Sequence, residues 1–184
     1  MAALGELMAE RGMPFTAVRQ PSDTELGQFI RQGEQRYQGL TLAALVVADR
    51  VLLVDRVIRP ALANGDVVAT DRHIGSTLAL QRVDGVDLDV LWEMNAGVLV
   101  PDLSVFLFAP AEILEERLNS RGRTSRFEHT AGISQAESRF FGEAADLMRR
   151  KGARVLQLST LDHDTRTVAQ RIDEVIRAIP PQRS

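Results

Sequence analysis

The sequence contains no cysteine, which excludes disulfides, thiolate metal sites and a cysteine nucleophile, and is neutral as to compartment. It also lacks any apolar stretch of the roughly 20 residues that a membrane-spanning helix needs. The N-terminus carries no basic segment leading into an apolar signal core. A soluble, unexported, cytoplasmic protein with no membrane partner is therefore expected. Strong net charge is missing too: 22 Lys and Arg stand against 25 Asp and Glu, for a net charge of -3. That balance argues against a general polyanion-binding surface and against nucleic acid as a partner, while local arginine clusters can still bind a small phosphorylated ligand. Internal repeats and low-complexity segments are absent. His73, His129 and His163 lack metal-ligand spacing and read as polar or surface residues. Trp92, the single tryptophan, reads as a core or interface residue.

What is present is enough for one domain spanning residues 1–184, with 45% hydrophobic content to fill a single core. Leu4, Leu7, Met8 and Arg11 recur at helical spacing, with Gly12 as the stop. Pro14 to Val18 reads as a strand, and Arg19-Gln20-Pro21 as a turn. Ser22 or Asp23 is placed to cap a helix carrying Leu26, Phe29 and Ile30. A helix is expected from about Leu40 to Ala63, kinked at Pro60. A strand at Asp66 to Thr70 precedes a short helix near Ser76 to Gln81 and another from Asp87 to Ala96. Leu103 to Phe108 is short and continuously apolar, as a fully buried strand would be. Pro110 opens a helix through Leu118, and the charged run from Arg121 to Glu128 reads as a mobile loop. Ile133 to Lys151 follows as a long helix, Arg154 to Ser159 as a strand, and Asp164 to Ile179 as the last helix. Four strands separated by helices argue for an α/β layer structure with a parallel sheet.

Such sheets place ligands at the carboxyl ends of their strands. The run Asp71-Arg72-His73 falls at one of them, where a carboxylate can hold a hydrated magnesium ion and a guanidinium can fork onto a phosphate. The same two residues also fit a structural ion pair capping the strand. Further arginines, Arg19, Arg50, Arg117, Arg121, Arg123 and Arg126, lie near strand ends, helix starts or the loop. Phosphoryl transfer relies on positioning and charge neutralisation, and arginines supply both. The alternatives are a solvated helix end and loop for Arg117 to Arg126, and a surface salt bridge for Asp49-Arg50.

Taken in order, Arg19-x-Pro21, Ala48-Asp49-Arg50, Ile58-Arg59-Pro60-Ala61-Leu62, Asp71-Arg72-His73-x-x-Ser76, Pro101-Asp102-Leu103 and Arg121-Gly122-x-x-x-Arg126-x-Glu128 resemble the thymidylate kinase family. The match runs to Glu128 by motif and to the end by element order. The resemblance implies a three-layer P-loop kinase-like fold, a parallel sheet flanked by helices. It implies transfer of the ATP γ-phosphate to thymidine monophosphate (dTMP) with Mg2+, by a homodimer. Arg72 then resembles the arginine on the acceptor phosphate, with a part in catalysis, and Asp71 the residue organising magnesium. Arg50 resembles the helix arginine that contacts the base, and Arg19, Ser76 and Thr77 line the acceptor site. Residues 119–132 resemble a lid, with Arg121 and Arg126 catalytic and Arg117, Arg121 and Arg123 on ATP.

Departures from the family pattern bear on both substrates. The glycine-rich loop GxxxxGK[ST], whose backbone amides cradle ATP phosphates, does not occur in the sequence. An N-terminal strand and that loop, roughly 20 residues together, are expected to be missing ahead of the first helix, and with them the central strand of the sheet. On the acceptor side, Val46 stands where the family carries a stacking phenylalanine and Leu80 where a tyrosine lies near the sugar. Gln20 and Ser22-Asp23 replace a glutamate and glycines, and Ser125 replaces a lid aspartate. A kinase for another phosphorylated acceptor and a non-catalytic nucleotide-binding or interaction relative are the competing expectations.

Overall fold

A computed structural model describes residues 1–122, 133–161 and 163–180. Strands β1 (Phe15–Arg19) and β2 (Val67–Asp71) pair in parallel, with Phe15 opposite Val67 and Arg19 opposite Asp71. Strands β3 (Ser104–Phe108) and β4 (Val155–Ser159) form a second parallel pair, with Phe108 opposite Ser159. Parallel neighbours need crossovers, supplied by α2 (Glu25–Gly33), α3 (Gly39–Leu53) and α4 (Arg59–Ala63) between β1 and β2 and by α7 (Ala111–Arg121) and α8 (Ile133–Arg150) between β3 and β4; α1 (Ala2–Glu10) precedes β1, α5 (Ile74–Val83) and α6 (Leu88–Glu93) link β2 to β3, and α9 (Thr165–Arg177) follows β4.

Alternation along β2 sorts these helices into layers. Val67 and Ala69 pack with Phe15 against Leu4, Leu7 and Met8 of α1 and Ala169 of α9. Val68 points the other way, into the main core of Ile74, Leu78, Leu91, Ala144, Met148 and Phe106. The result is the expected three-layer α/β arrangement. The main core takes in Val18 and Val68 from the first strand pair and Phe106, Phe108 and Val155 from the second, so both pairs lie against one helical layer. Yet β2 and β3 share no ladder, and the strands form two two-stranded sheets. The expectation of a fully buried strand at Leu103 to Phe108 is therefore corrected. Val67 to Thr70 are only half-buried, and Leu107 in β3 is 55% exposed. The layer made by α1 and α9 covers β1 and β2, and no residue of β3 belongs to it.

Local chemistry sets the element ends. The α2 cap is Thr24, whose side chain accepts from the Gly27 amide, rather than Ser22 or Asp23. A Cβ at Gly27 would lie 1.9 Å from the Ser22 carbonyl oxygen, so the helix start can approach that turn only as glycine. Asp87 and Asp164 cap α6 and α9 by accepting backbone amides. The long helix expected to Ala63 is interrupted by a π-helical turn at Val54–Ile58 directly before Pro60. Proline cannot donate to the preceding turn and its ring needs room there, which the wider turn provides. Helix α5 starts at Ile74, ahead of the expected Ser76. A Cβ at Gly75 would meet the Phe106 ring at 2.7 Å, so this first turn is pressed onto β3.

The layer of α1 and α9 is locked by Asp173, 2% exposed, which accepts from Arg11 of the α1 terminus and from Arg177. Burial pushes its carboxyl up, but the Arg177 hydrogen bond and the charges of both arginines outweigh that and hold it below the usual carboxylate range. Asp173→Asn should lower unfolding stability by about 1–3 kcal/mol, read as a reduced urea midpoint.

Candidate functional site

The carboxyl ends of β1 and β2 lie side by side, with Arg19 opposite Asp71. Arg19 bonds Asp23 at 2.6 Å, and Arg31 stands 3.4 Å from the same carboxylate. Both members of the Arg19–Asp23 pair are exposed, so it is a weak, exchangeable contact. Asp71 and Arg72 are exposed as well. Arg72 has φ 70°, in the left-handed region that side chains other than glycine rarely adopt. No ion pair joins Asp71 to Arg72 among the described residues, so the strand-capping alternative does not hold.

Beneath this exposed edge lies a buried cation. Arg50 is 1% exposed and donates from Nε to Gln20 Oε1 at 2.9 Å, from Nη2 to Thr77 Oγ1 at 2.8 Å, and from Nη1 to Asn95 Oδ1. All three acceptors are neutral. Asn95 is oriented for this by donating from Nδ2 to the Leu91 carbonyl at 2.8 Å. Asp49, 0% exposed, is engaged elsewhere: its carboxylate accepts from the Ser22 amide at 2.8 Å and from the Ser22 hydroxyl. The alternative of a surface salt bridge Asp49-Arg50 is thus overturned. Both side chains point inward, and each fastens a different part of the β1–α2 turn. Burial pushes the Arg50 guanidinium down to about 10, with Asp49 opposing, so it stays charged at neutral pH.

His73 begins α5 beside this cation. Its Nδ1 is buried without a hydrogen-bond partner among the described residues, as is Nε2 of Gln20. Burial, helped by the charge of Arg50, pushes the imidazole down to about 3. It is therefore neutral across the physiological range, a half-buried polar residue with its Nδ1 turned inward.

The other expected residues divide. Ser76 and Thr77 sit in the first turns of α5, half-buried and buried respectively. Arg117 is exposed on α7 and donates to the Oγ1 and carbonyl of Thr160, each at 2.9 Å, just past β4. Arg121 closes α7 rather than opening a loop. Arg123 and Arg126, and residues 123–132 of the expected lid, lie outside the described residues. Val46 is half-buried, and Leu80 is 7% exposed; both pack in a cluster with Ile30 and Leu42. Gln20 and Asn95 were not foreseen as partners of Arg50. Gln20 registered only as a departure from a pattern, and an asparagine at a helix end carries no signal of a partner 45 residues away. Among the described residues, no group of three His, Cys, Asp or Glu side chains is placed to hold a metal ion, and no helix is long and apolar enough to cross a membrane.

Parallel strands between helical layers, with Arg19 and Arg72 exposed at neighbouring strand ends, define the class: an α/β fold with a charged strand-end edge. The sequence profile described as Thymidylate kinase matches residues 1–172, and the chain belongs to that family. It is 36% identical over 125 residues to a protein of Caldivirga maquilingensis named probable thymidylate kinase, covering 66% of this chain and 61% of the relative. The similarity to a probable thymidylate kinase of Archaeoglobus fulgidus is 34% over 128 residues, covering 69% and 65%. A thymidylate kinase of Desulfovibrio desulfuricans is 37% identical over 164 residues, covering 83% and 73%. The chain thus spans less than two thirds of the length of these two archaeal relatives.

Two measurements check the buried network. Arg50→Lys cannot reach three separate acceptors with one ammonium, and should lose about 1–3 kcal/mol of unfolding stability, seen as a lower urea midpoint. For His73, the unfolded state takes up a proton near pH 6.5 whereas the folded state does so only at about 3. Its stabilising contribution is therefore complete above pH 6.5 and lost as pH falls toward 3. His73→Asn should lose less stability than the parent between pH 7 and pH 4.5, roughly the interval of that proton uptake.

Proposed function

We propose that this chain forms the acceptor half of a nucleoside monophosphate kinase that moves the ATP γ-phosphate to dTMP, yielding dTDP for dTTP synthesis in the cytoplasm. The observation that carries this reading is the pair of cations near one strand end, an exposed Arg72 whose guanidinium has no hydrogen-bond or ion-pair partner among the described residues, and a buried Arg50 held by neutral oxygens. An exposed guanidinium at the edge suits a phosphate, which it can grip with two parallel N–H donors. The buried Arg50 stands behind it, its charge partly offset by the equally buried carboxylate of Asp49. Family membership supplies the reaction, and the names of the relatives supply thymidylate as the acceptor.

In this reading Arg72 binds the acceptor phosphate and stays on it as charge builds in transfer. Arg50 orders the wall formed by Thr77, Asn95 and Gln20 on the base side, and Arg19 and Ser76 flank the opening. Arg121 and Arg126 act in transfer, and Arg117 and Arg123 take part in holding ATP. Asp71 would hold Mg2+. A single exposed carboxylate matches an ion that keeps most of its waters and arrives on nucleotide phosphates. When bound, the ion neutralises charge on the phosphoryl group.

The donor phosphates need a cradle of backbone amides, and no GxxxxGK[ST] segment occurs in the sequence. The separate edges of β2 and β3 over one shared core support a further parallel strand between them in the complete enzyme, with that loop at its carboxyl end. Exposed Leu40, Val51 and Val90, at 54%, 44% and 44%, support burial of the outer faces of α3 and α6 in a homodimer.

Titration calorimetry with dTMP tests the acceptor reading. The chain should bind dTMP, and Arg72→Ala should bind it roughly ten- to a hundredfold more weakly, the worth of a charge-assisted hydrogen bond. Unchanged affinity would remove Arg72 from the phosphate.

A further inference from the structure

Arg72 is the one non-glycine residue with positive φ among the described residues, at 70°. Where a turn alone is wanted, glycine or asparagine adopts this conformation at least cost. An arginine kept there points to a side chain needed at that spot, and something must hold its backbone. The neighbouring carbonyls are fixed by the fold itself. That of Asp71 accepts from the Gln20 amide at 2.9 Å across the β1–β2 ladder, and that of His73 accepts from the Ser76 amide at 3.1 Å in the first turn of α5. The Arg72 carbonyl lies between these anchors and belongs to neither. Its partner is the hydroxyl of Thr70, which donates to it at 2.8 Å.

We propose that Thr70 is a positioning residue for the acceptor phosphate: its hydroxyl clamps the Arg72 carbonyl and holds Arg72 in the left-handed conformation from which its guanidinium meets the phosphate. This rests on the reading of Arg72 given above. Threonine suits the task because branching at Cβ leaves few side-chain rotamers, so its hydroxyl is aimed before any ligand arrives. Without the clamp, Arg72 is free to relax toward negative φ, a rotation that moves the start of its side chain away from the strand end. Binding must then restore the conformation, and the restoring cost appears as lost affinity for the phosphate alone.

The test uses the purified chain and calorimetry with two probes, dTMP and thymidine. Thr70→Val keeps the shape and the branching and removes the hydroxyl; Thr70→Ser keeps the hydroxyl. Thr70→Val should bind dTMP roughly three- to tenfold more weakly, the effect of one hydrogen bond, with thymidine affinity unchanged. Thr70→Ser should bind dTMP within about twofold of the parent, since the same bond is kept. In an Arg72→Ala background, Thr70→Val should cause no further loss, because the two residues act as one unit. Parental dTMP affinity in Thr70→Val overturns the proposal, and so does equal weakening of dTMP and thymidine, which would mark a merely structural role. Thr70→Ala provides the same comparison if the valine variant does not fold. If Arg72→Ala alone binds dTMP as the parent does, the underlying acceptor reading fails. If Arg72→Ala weakens binding and Thr70→Val does not, only the role of Thr70 falls.

Discussion

A guanidinium 1% exposed, with neutral oxygens as its hydrogen-bond partners, is the constraint on which the rest of this structure depends. A buried charge is tolerable only when its donors are met by well-placed acceptors. Here the acceptors come from three directions: Gln20 from the turn after β1, Thr77 from α5, and Asn95 from the end of α6. Arg50 itself belongs to α3. One side chain therefore fixes how four segments meet, and a shift in any of them would leave a buried donor unmet. Asp49 fastens the same turn from the neighbouring position through both carboxylate oxygens on Ser22. The two residues act as separate clamps with opposite charge on a common target.

The division of the strands into two pairs gives this arrangement its second feature. A continuous core under both pairs keeps β2 and β3 on the same helical layer, while the other face is covered over β1 and β2 alone. Exposure follows cover: Leu107 stands 55% exposed though its neighbour Phe106 is 6% exposed. The pattern of residues in β3 is that of a strand built to be buried on both faces, and its surroundings satisfy one of them.

Much of this was legible in the sequence where local chemistry decides the outcome. The helices announced themselves through apolar spacing and through caps such as Asp87 and Asp164, and all four strands fall within a residue or two of their expected places. The π-helical turn was not foreseen, because Pro60 signals a disturbance without saying how the chain absorbs it. The start of α5 was misplaced because the close approach of Gly75 to Phe106 is a tertiary fact. At the site, Asp71 and Arg72 were visible as charges following an apolar strand. The burial of Asp49 and Arg50 was not, since a charged pair on a helix reads the same whether it faces water or core. The network partners Gln20 and Asn95 lie 30 and 45 residues from Arg50, beyond any spacing rule.

The two arginines at the strand end do different physical work because they differ in solvent exposure. Charge on an exposed guanidinium is screened by water and salt over about 8 Å at physiological ionic strength, so Arg72 acts mainly on what touches it. Arg50 lies behind protein and is screened far less; its field reaches His73, where it adds to burial in holding the ring neutral. Were His73 charged, a second cation would stand beside Arg50; kept neutral, it leaves Arg50 and Asp49 as the buried charges behind the edge. The edge thus combines one cation fixed by the fold with one whose backbone is held and whose head is exposed. The two guanidiniums differ in what can reach them: Arg72 is open to solvent, whereas Arg50 is enclosed together with the buried carboxylate of Asp49.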